Sequence, residues 1–206
     1  METSAVAGDE AGDVPGGDLT SRARIRIAAL NQFAAKGYAG TTLRAIASEA
    51  GVTVGLVPHY FGSKEGVRDA VERWIVGRFA AAIADADQQA EDTVAGTRER
   101  NAAVAQMLED NPPVVDYLRR EVLQLQGDGA LIARLVALTR ESVDTMREAG
   151  HASQERDRVE QVAAVMVRQL GRLFLQPLMD QVYDAFPEAE RPAQAPELIV
   201  AVRAAE

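Results

Sequence analysis

Residues 41–66, TTLRAIASEAGVTVGLVPHYFGSKEG, constrain the fold more tightly than any other stretch of the chain. Thr41 or Thr42 stands where a short helix, LRAIASEA, needs an N-cap, and Gly51 follows where the backbone must take positive φ to turn back. Thr53 is placed to cap a second short helix. Ser63 is placed to cap a long helix after it, and Glu65 and Glu72 suit the N-terminal half of that helix's dipole. Ala47 falls where the two short helices cross, and only a small side chain there lets the backbones approach. Ile46, Val52 and Val57 close a small apolar core against Phe33 of an earlier helix. Two short helices braced at a tight turn form a helix-turn-helix, in which the first steadies the second so that its N-terminal residues reach base edges in a major groove.

The rest of the chain is helical in character, with Ala, Leu, Arg, Glu and Gln dominant and no β-branched alternation long enough for a strand. A first helix is expected over 20–36, with Ile25, Ala28, Ala29 and Phe33 on one stripe and Gly37 just past its end as a left-handed cap. The helix after Ser63 should reach about Gln89, since Val67, Ala70, Val71, Trp74, Ile75 and Phe79 recur at spacings of three and four. Gly96, Asn111-Pro112-Pro113, Gly127-Asp128-Gly129 and Gly150 then divide the remainder into helices near 97–110, 113–126, 130–149 and 153–184, with a last one near 196–205. Pro177 is expected to kink the 153–184 helix or end it early. Residues 1–19 are rich in Gly, Ala and Asp, lack an apolar period, and read as a disordered acidic tail.

Charge and composition narrow the function. The chain carries a net −9, which argues against a nucleic-acid partner until its distribution is followed: residues 1–20 sum to −5, residues 21–66 to +4, and the remainder to −8. The one basic block therefore coincides with the helix-turn-helix. The absence of cysteine excludes a disulfide framework, thiolate catalysis and cysteine-ligated zinc, and points to the cytoplasm. No apolar run of about 18 residues is present to span a membrane. His59 and His151 are far apart in sequence, and neither a Gly-rich phosphate loop after a strand nor an HExxH pattern occurs. An enzyme, a metal site and a cofactor are accordingly not expected. Glu109-Asp110 and Glu188/Glu190 are ordinary helix-end or loop charges.

The N-terminal pattern resembles the TetR family of regulators. Ile25, Ala28, Ala29, Phe33, Gly37, Tyr38, Thr41, Thr42, Ile46, Ala47, Ala50, Gly51, Val52, Gly55, His59, Tyr60, Phe61, Ser63, Lys64 and Glu65 stand in the family's order and spacing. The resemblance implies an all-α fold: a three-helix DNA-binding domain over 20–66, with the motif at 42–61, and a larger helical bundle over 67–206 for ligand binding and dimerisation. It also implies a ligand-responsive repressor that binds a palindromic operator as a homodimer and answers to a small-molecule effector. Thr42, Arg44, Thr53, Val54, Gly55, Leu56, His59, Tyr60 and Lys64 would face DNA. Lys64 would contact a phosphate as a point charge, and Thr53, Val54 and Leu56 would read bases, in part through thymine methyls. Pro58 departs from the pattern, where the family usually has a phosphate-contacting Tyr. It removes a helix N–H and crowds the Val54 carbonyl, so a short or distorted recognition helix is expected.

Arg22, Arg24 and Arg26 form either a solvated face or an approach to the DNA backbone. In the C-terminal part, Met107, Tyr117, Met166, Gln169 and Phe174 are the candidate effector contacts, although apolar stripes of this kind also serve as plain core. Arg168, Gln169 and Arg172 suit an anionic or polar ligand, or a dimer surface. The alternative to a DNA-binding regulator is an all-α effector-binding or scaffolding protein whose helix-turn-helix is degenerate.

Overall fold

A computed structural model describes residues 20–89, 93–124 and 129–194, together with 196 and 198. Its described residues form eight α-helices and no strand. In chain order these are α1 (Ser21–Gly40), α2 (Leu43–Ala50), α3 (Leu56–Phe61), α4 (Lys64–Gln89), α5 (Thr93–Glu109), α6 (Pro112–Gln124), α7 (Ala130–Glu148) and α8 (Arg158–Asp184), with a 3-10 turn at Glu188–Glu190. The expected tail at 1–19, the Gly127-Asp128 stop and nearly all of the expected 196–205 helix lie outside the described residues.

Local chemistry accounts for the helix ends. Thr20 accepts from the Ala23 N–H at 3.2 Å, and Asp157 accepts from the Val159 N–H at 2.7 Å, so each satisfies an orphan donor of a first turn. Gly37 has φ 73° and ψ 169°, a region open essentially to glycine alone. It interrupts α1 rather than capping it with a left-handed residue as expected, and a tight turn of chain continues to Gly40. The buried Thr41 hydroxyl ties this break down by donating to the Gly37 carbonyl at 2.8 Å.

Three boundaries differ from the sequence expectation. Gly96 does not stop a helix; α5 runs through it from Thr93, at the modest cost a single helical glycine carries, about 1 kcal/mol relative to alanine. The helix expected from 153 begins at Arg158 instead, because the Ser153 hydroxyl accepts from the Glu155 and Arg156 N–H groups at 3.2 Å and holds a turn there. Pro177 does not end α8, which continues to Asp184, and Gln176 bridges the site by donating to Asp180 at 2.8 Å.

One apolar core runs through the whole arrangement. Ile25, Phe33, Ile46 and Val57 of the first three helices join Val67, Val71 and Ile75 of α4, and these join Tyr117, Leu118 and Leu131 beyond. The Phe33 and Tyr117 rings lie 6.4 Å apart, across the division expected at 66/67. Polar links reinforce this junction. Arg120 of α6 donates to the Ala34 and Ala35 carbonyls of α1 at 3.1 and 3.0 Å. Glu72 of α4, almost fully buried, accepts from Arg68 at 2.8 Å, from the Tyr117 hydroxyl at 3.1 Å and from Arg134 of α7 at 2.9 Å. A buried carboxylate is tolerable only when paired in this manner. Burial first, and then the Glu72 and Glu121 carboxylates, push the Tyr117 hydroxyl far above its ordinary pKa, so it stays a donor to Glu72.

Candidate nucleic-acid interface

The helix-turn-helix is assembled from caps and one left-handed residue. Thr42, and not Thr41, caps α2: its hydroxyl accepts from the Ala45 N–H at 3.1 Å. Gly51 closes α2 at φ 64° and ψ 39°. Ile46, Ala47 and Ala50 are buried on one side of α2, as is Val57 of α3, and Val52, Leu56 and Phe61 pack against the same core.

The start of α3 corrects one expectation. Thr53 does not cap it with its side chain; Gly55 occupies the cap position with no side-chain acceptor, and the Thr53 carbonyl accepts from the Leu56 N–H at 3.0 Å. The Val54 carbonyl accepts from Val57 at 3.2 Å, so the N–H that Pro58 lacks is not missed. His59 then bonds regularly back to Gly55 at 3.3 Å. The proline is thereby accommodated in the first turn of a helix that is only six residues long.

With the apolar sides turned inward, the opposite sides are free. Thr42, Arg44, Thr53, Val54, Gly55, His59 and Tyr60 are exposed, while Leu56 is half-buried at the edge of the core. The His59 and Tyr60 rings meet edge to face at 5.2 Å, which stiffens two exposed side chains. Of the three N-terminal arginines, Arg22 lies over the Phe61 ring at 5.8 Å and Arg26 over Trp74 at 5.3 Å, and Arg24 donates to Ser21 at 3.3 Å.

Ser63 accepts from the Gly66 N–H at 3.1 Å and so caps α4 as the sequence suggests. Beside it lies a cluster that sequence reasoning did not assemble. The Tyr38 hydroxyl donates to Glu65 at 2.6 Å, and the Lys64 ammonium and the Arg68 guanidinium lie over the Tyr38 ring at 4.3 and 5.2 Å. The Tyr38 hydrogen bond first, then the Glu65 and Ser63 bonds and the Lys64 charge, hold the Glu65 carboxyl down at about 2. Gly66 was also missed: a Cβ there would lie 1.9 Å from the Phe61 carbonyl oxygen, so the turn joining α3 to α4 admits no side chain at that position. The Tyr38 cluster has no local signal, because the fold brings Tyr38 to residues 64–68 from 27 residues away, and the Gly66 contact depends on the exact path of the turn after Phe61.

In the C-terminal helices a cavity of about 80 Å3 lies among α4, α5, α7 and α8. Met166 and Gln169 line it; Met107, Tyr117 and Phe174 do not. Met107 is buried in the common core, and Tyr117 is committed to Glu72. Among the described residues no group of acidic or histidine side chains is placed to hold a metal ion, and no helix is long and apolar enough to cross a membrane.

Residues 25–71 match the model of the bacterial regulatory proteins of the tetR family. The HTH-type transcriptional regulatory protein RaaS of Mycobacterium tuberculosis is 37% identical over 144 residues, covering 68% of this chain and 63% of RaaS. The HTH-type transcriptional regulator BetI of Burkholderia thailandensis is 38% identical over 63 residues, covering 31% of this chain and 32% of BetI. The chain thus spans under two thirds of the length of these relatives. In fold it is similar to the fatty acid degradation regulator FadR of Bacillus halodurans, with a TM-score of 0.65 at 21% identity, covering 82% of this chain and 89% of that one. The family-model match falls on the segment that builds the exposed α2–α3 ridge, and over residues 25–71 the chain belongs with the bacterial regulatory proteins of the tetR family.

Proposed function

We propose that this chain is a ligand-responsive transcriptional repressor that binds a palindromic operator as a homodimer. The observation that carries the reading is the α2–α3 ridge: Thr42 at the α2 cap, Arg44 on α2, Thr53 and Val54 in the turn, and His59 and Tyr60 on α3 are exposed, while the other sides of both helices are buried. This ridge sits in the one net-positive block of an otherwise acidic chain. Thr53, Val54, Gly55 and Leu56 would meet base edges at the start of α3, and Arg44, His59, Tyr60 and Lys64 would meet phosphates. The similarity to RaaS and BetI, both named as transcriptional regulators, supports the same reading. The work assigned to residues 20–66 is DNA contact, and that assigned to 67–206 is pairing and effector binding, by recognition rather than by turnover.

Pairing is supported by α8. Val167, Leu175, Leu178 and Val182 on this helix, and Phe186 just after it, leave large apolar surface exposed at helical spacing. Two copies joined there would bury it. The test is fluorescence anisotropy with palindromic fragments selected from genomic DNA, together with light scattering at micromolar protein. A dimer should bind with an affinity that falls steeply as salt rises, and a strict monomer or salt-independent binding would refute the proposal.

A further inference from the structure

Two cavities adjoin in the C-terminal helices and share Asn101, Leu108, Gln169 and Leu173 as a common wall. The first holds about 80 Å3 and the second about 310 Å3, so together they suit one elongated guest. Their charges differ. The second balances Arg119 and Arg172 against Glu109 and Asp180. The first has an apolar wall that includes Phe79, Ile83, Leu138 and Met146, two arginines, Arg100 and Arg168, and no carboxylate.

Arg100 is the unusual member. Its side chain is 20% exposed, and its Nε donates to Asp87. Its Nη1 has almost no accessible surface and meets no acceptor among the described residues, so a guest in the cavity meets it only when the guanidinium turns toward the void. A buried N–H on a charged group without an acceptor is costly, whereas a bond from guanidinium to carboxylate is among the strongest a protein makes. A neutral head group would satisfy this nitrogen less well, and a cation would be repelled.

We propose that this cavity binds a carboxylate carried on an aliphatic chain, with the anionic head on Arg100 and the chain along the apolar wall. The inference rests on the cavity being the effector site proposed above, and it adds the chemical class of the ligand. It is tested by calorimetric titration of the full chain with dodecanoate, dodecanol and dodecylammonium below their micellar concentrations. Dodecanoate should bind at least about tenfold more tightly than either of the others. Arg100→Gln should abolish that preference, bringing dodecanoate down by at least about tenfold to the level of dodecanol. Asp87→Asn, which breaks the same ion pair but keeps the guanidinium, should retain it. Equal affinities, absence of dodecanoate binding, or a carboxylate preference that survives Arg100→Gln would overturn the proposal. Should Arg100→Gln fail to fold by circular dichroism, the comparison of dodecanoate with dodecylammonium on the native chain and on Asp87→Asn decides alone. Operator binding by the unliganded protein, measured in parallel, separates the two readings: DNA binding without carboxylate preference refutes only the ligand class, and the reverse refutes only the regulator.

Discussion

At the level of single residues, Lys64 and Glu65 stand side by side with separate tasks. The Lys64 ammonium lies over the Tyr38 ring at the first turn of α4, and the contact proposed for it is with a phosphate, which carries no sequence information. Lys64→Ala should therefore weaken binding to all DNA sequences alike and lower the salt slope by about one per protomer, as measured by anisotropy across a salt series. A loss confined to one sequence would show that Lys64 reads bases. Glu65 is governed by its neighbour: with the carboxyl held at about 2 by Tyr38, its contribution to stability is present above the ordinary value of 4.5 and is lost as pH falls toward 2. Tyr38→Phe should return the Glu65 carboxyl toward the ordinary range in an NMR titration, and an unmoved midpoint would contradict the assigned cause.

Among the elements, the α3–α4 turn offers a test in which two effects oppose each other. Replacing a glycine by alanine in a helix ordinarily gains up to about 1 kcal/mol, but at Gly66 the added carbon meets the Phe61 carbonyl at 1.9 Å, and backbone must move. The collision should win, with Gly66→Ala lowering stability by about 2 kcal/mol or more in urea denaturation; a stabilised variant would mean that α3 can shift freely. The same segment shows what the sequence could and could not reveal. Periodicity and capping residues located α1 to α4 closely, because Thr42, Gly51 and Ser63 act on backbone groups only a few residues away. Thr53 misled, since Gly55 took the cap position and left the Thr53 hydroxyl on the surface. The stop at Gly96 misled because a single glycine costs a long helix only about 1 kcal/mol, and of the two outcomes expected at Pro177 the early end did not occur. Of the effector candidates, Met166 and Gln169 reach the cavity while Met107 and Tyr117 fill the core, a choice made by tertiary packing and invisible to helical spacing.

On the scale of the whole molecule, the apolar stripe of α8 is the surface on which the proposed pairing rests. Leu178, 56% exposed, lies near the middle of that stripe, and Leu178→Glu should shift the dimer to monomer in light scattering. Affinity for the full palindrome should drop by at least about tenfold, while the monomer keeps its helical circular dichroism; an intact dimer would place the interface elsewhere. Across this same scale, the continuous core makes α4 a rigid beam shared by both ends of the protomer. Lys64 stands at one end of it, and Phe79 and Ile83 wall the cavity toward the other. At 1.5 Å per residue the arm from Ile83 to Lys64 is about 28 Å, so a swing of about 5° about the far end carries the lysine roughly 2.5 Å. A displacement of that size is nearly the length of a charged hydrogen bond, so on the proposed reading a tilt of α4 by a few degrees would be enough to part Lys64 from a phosphate.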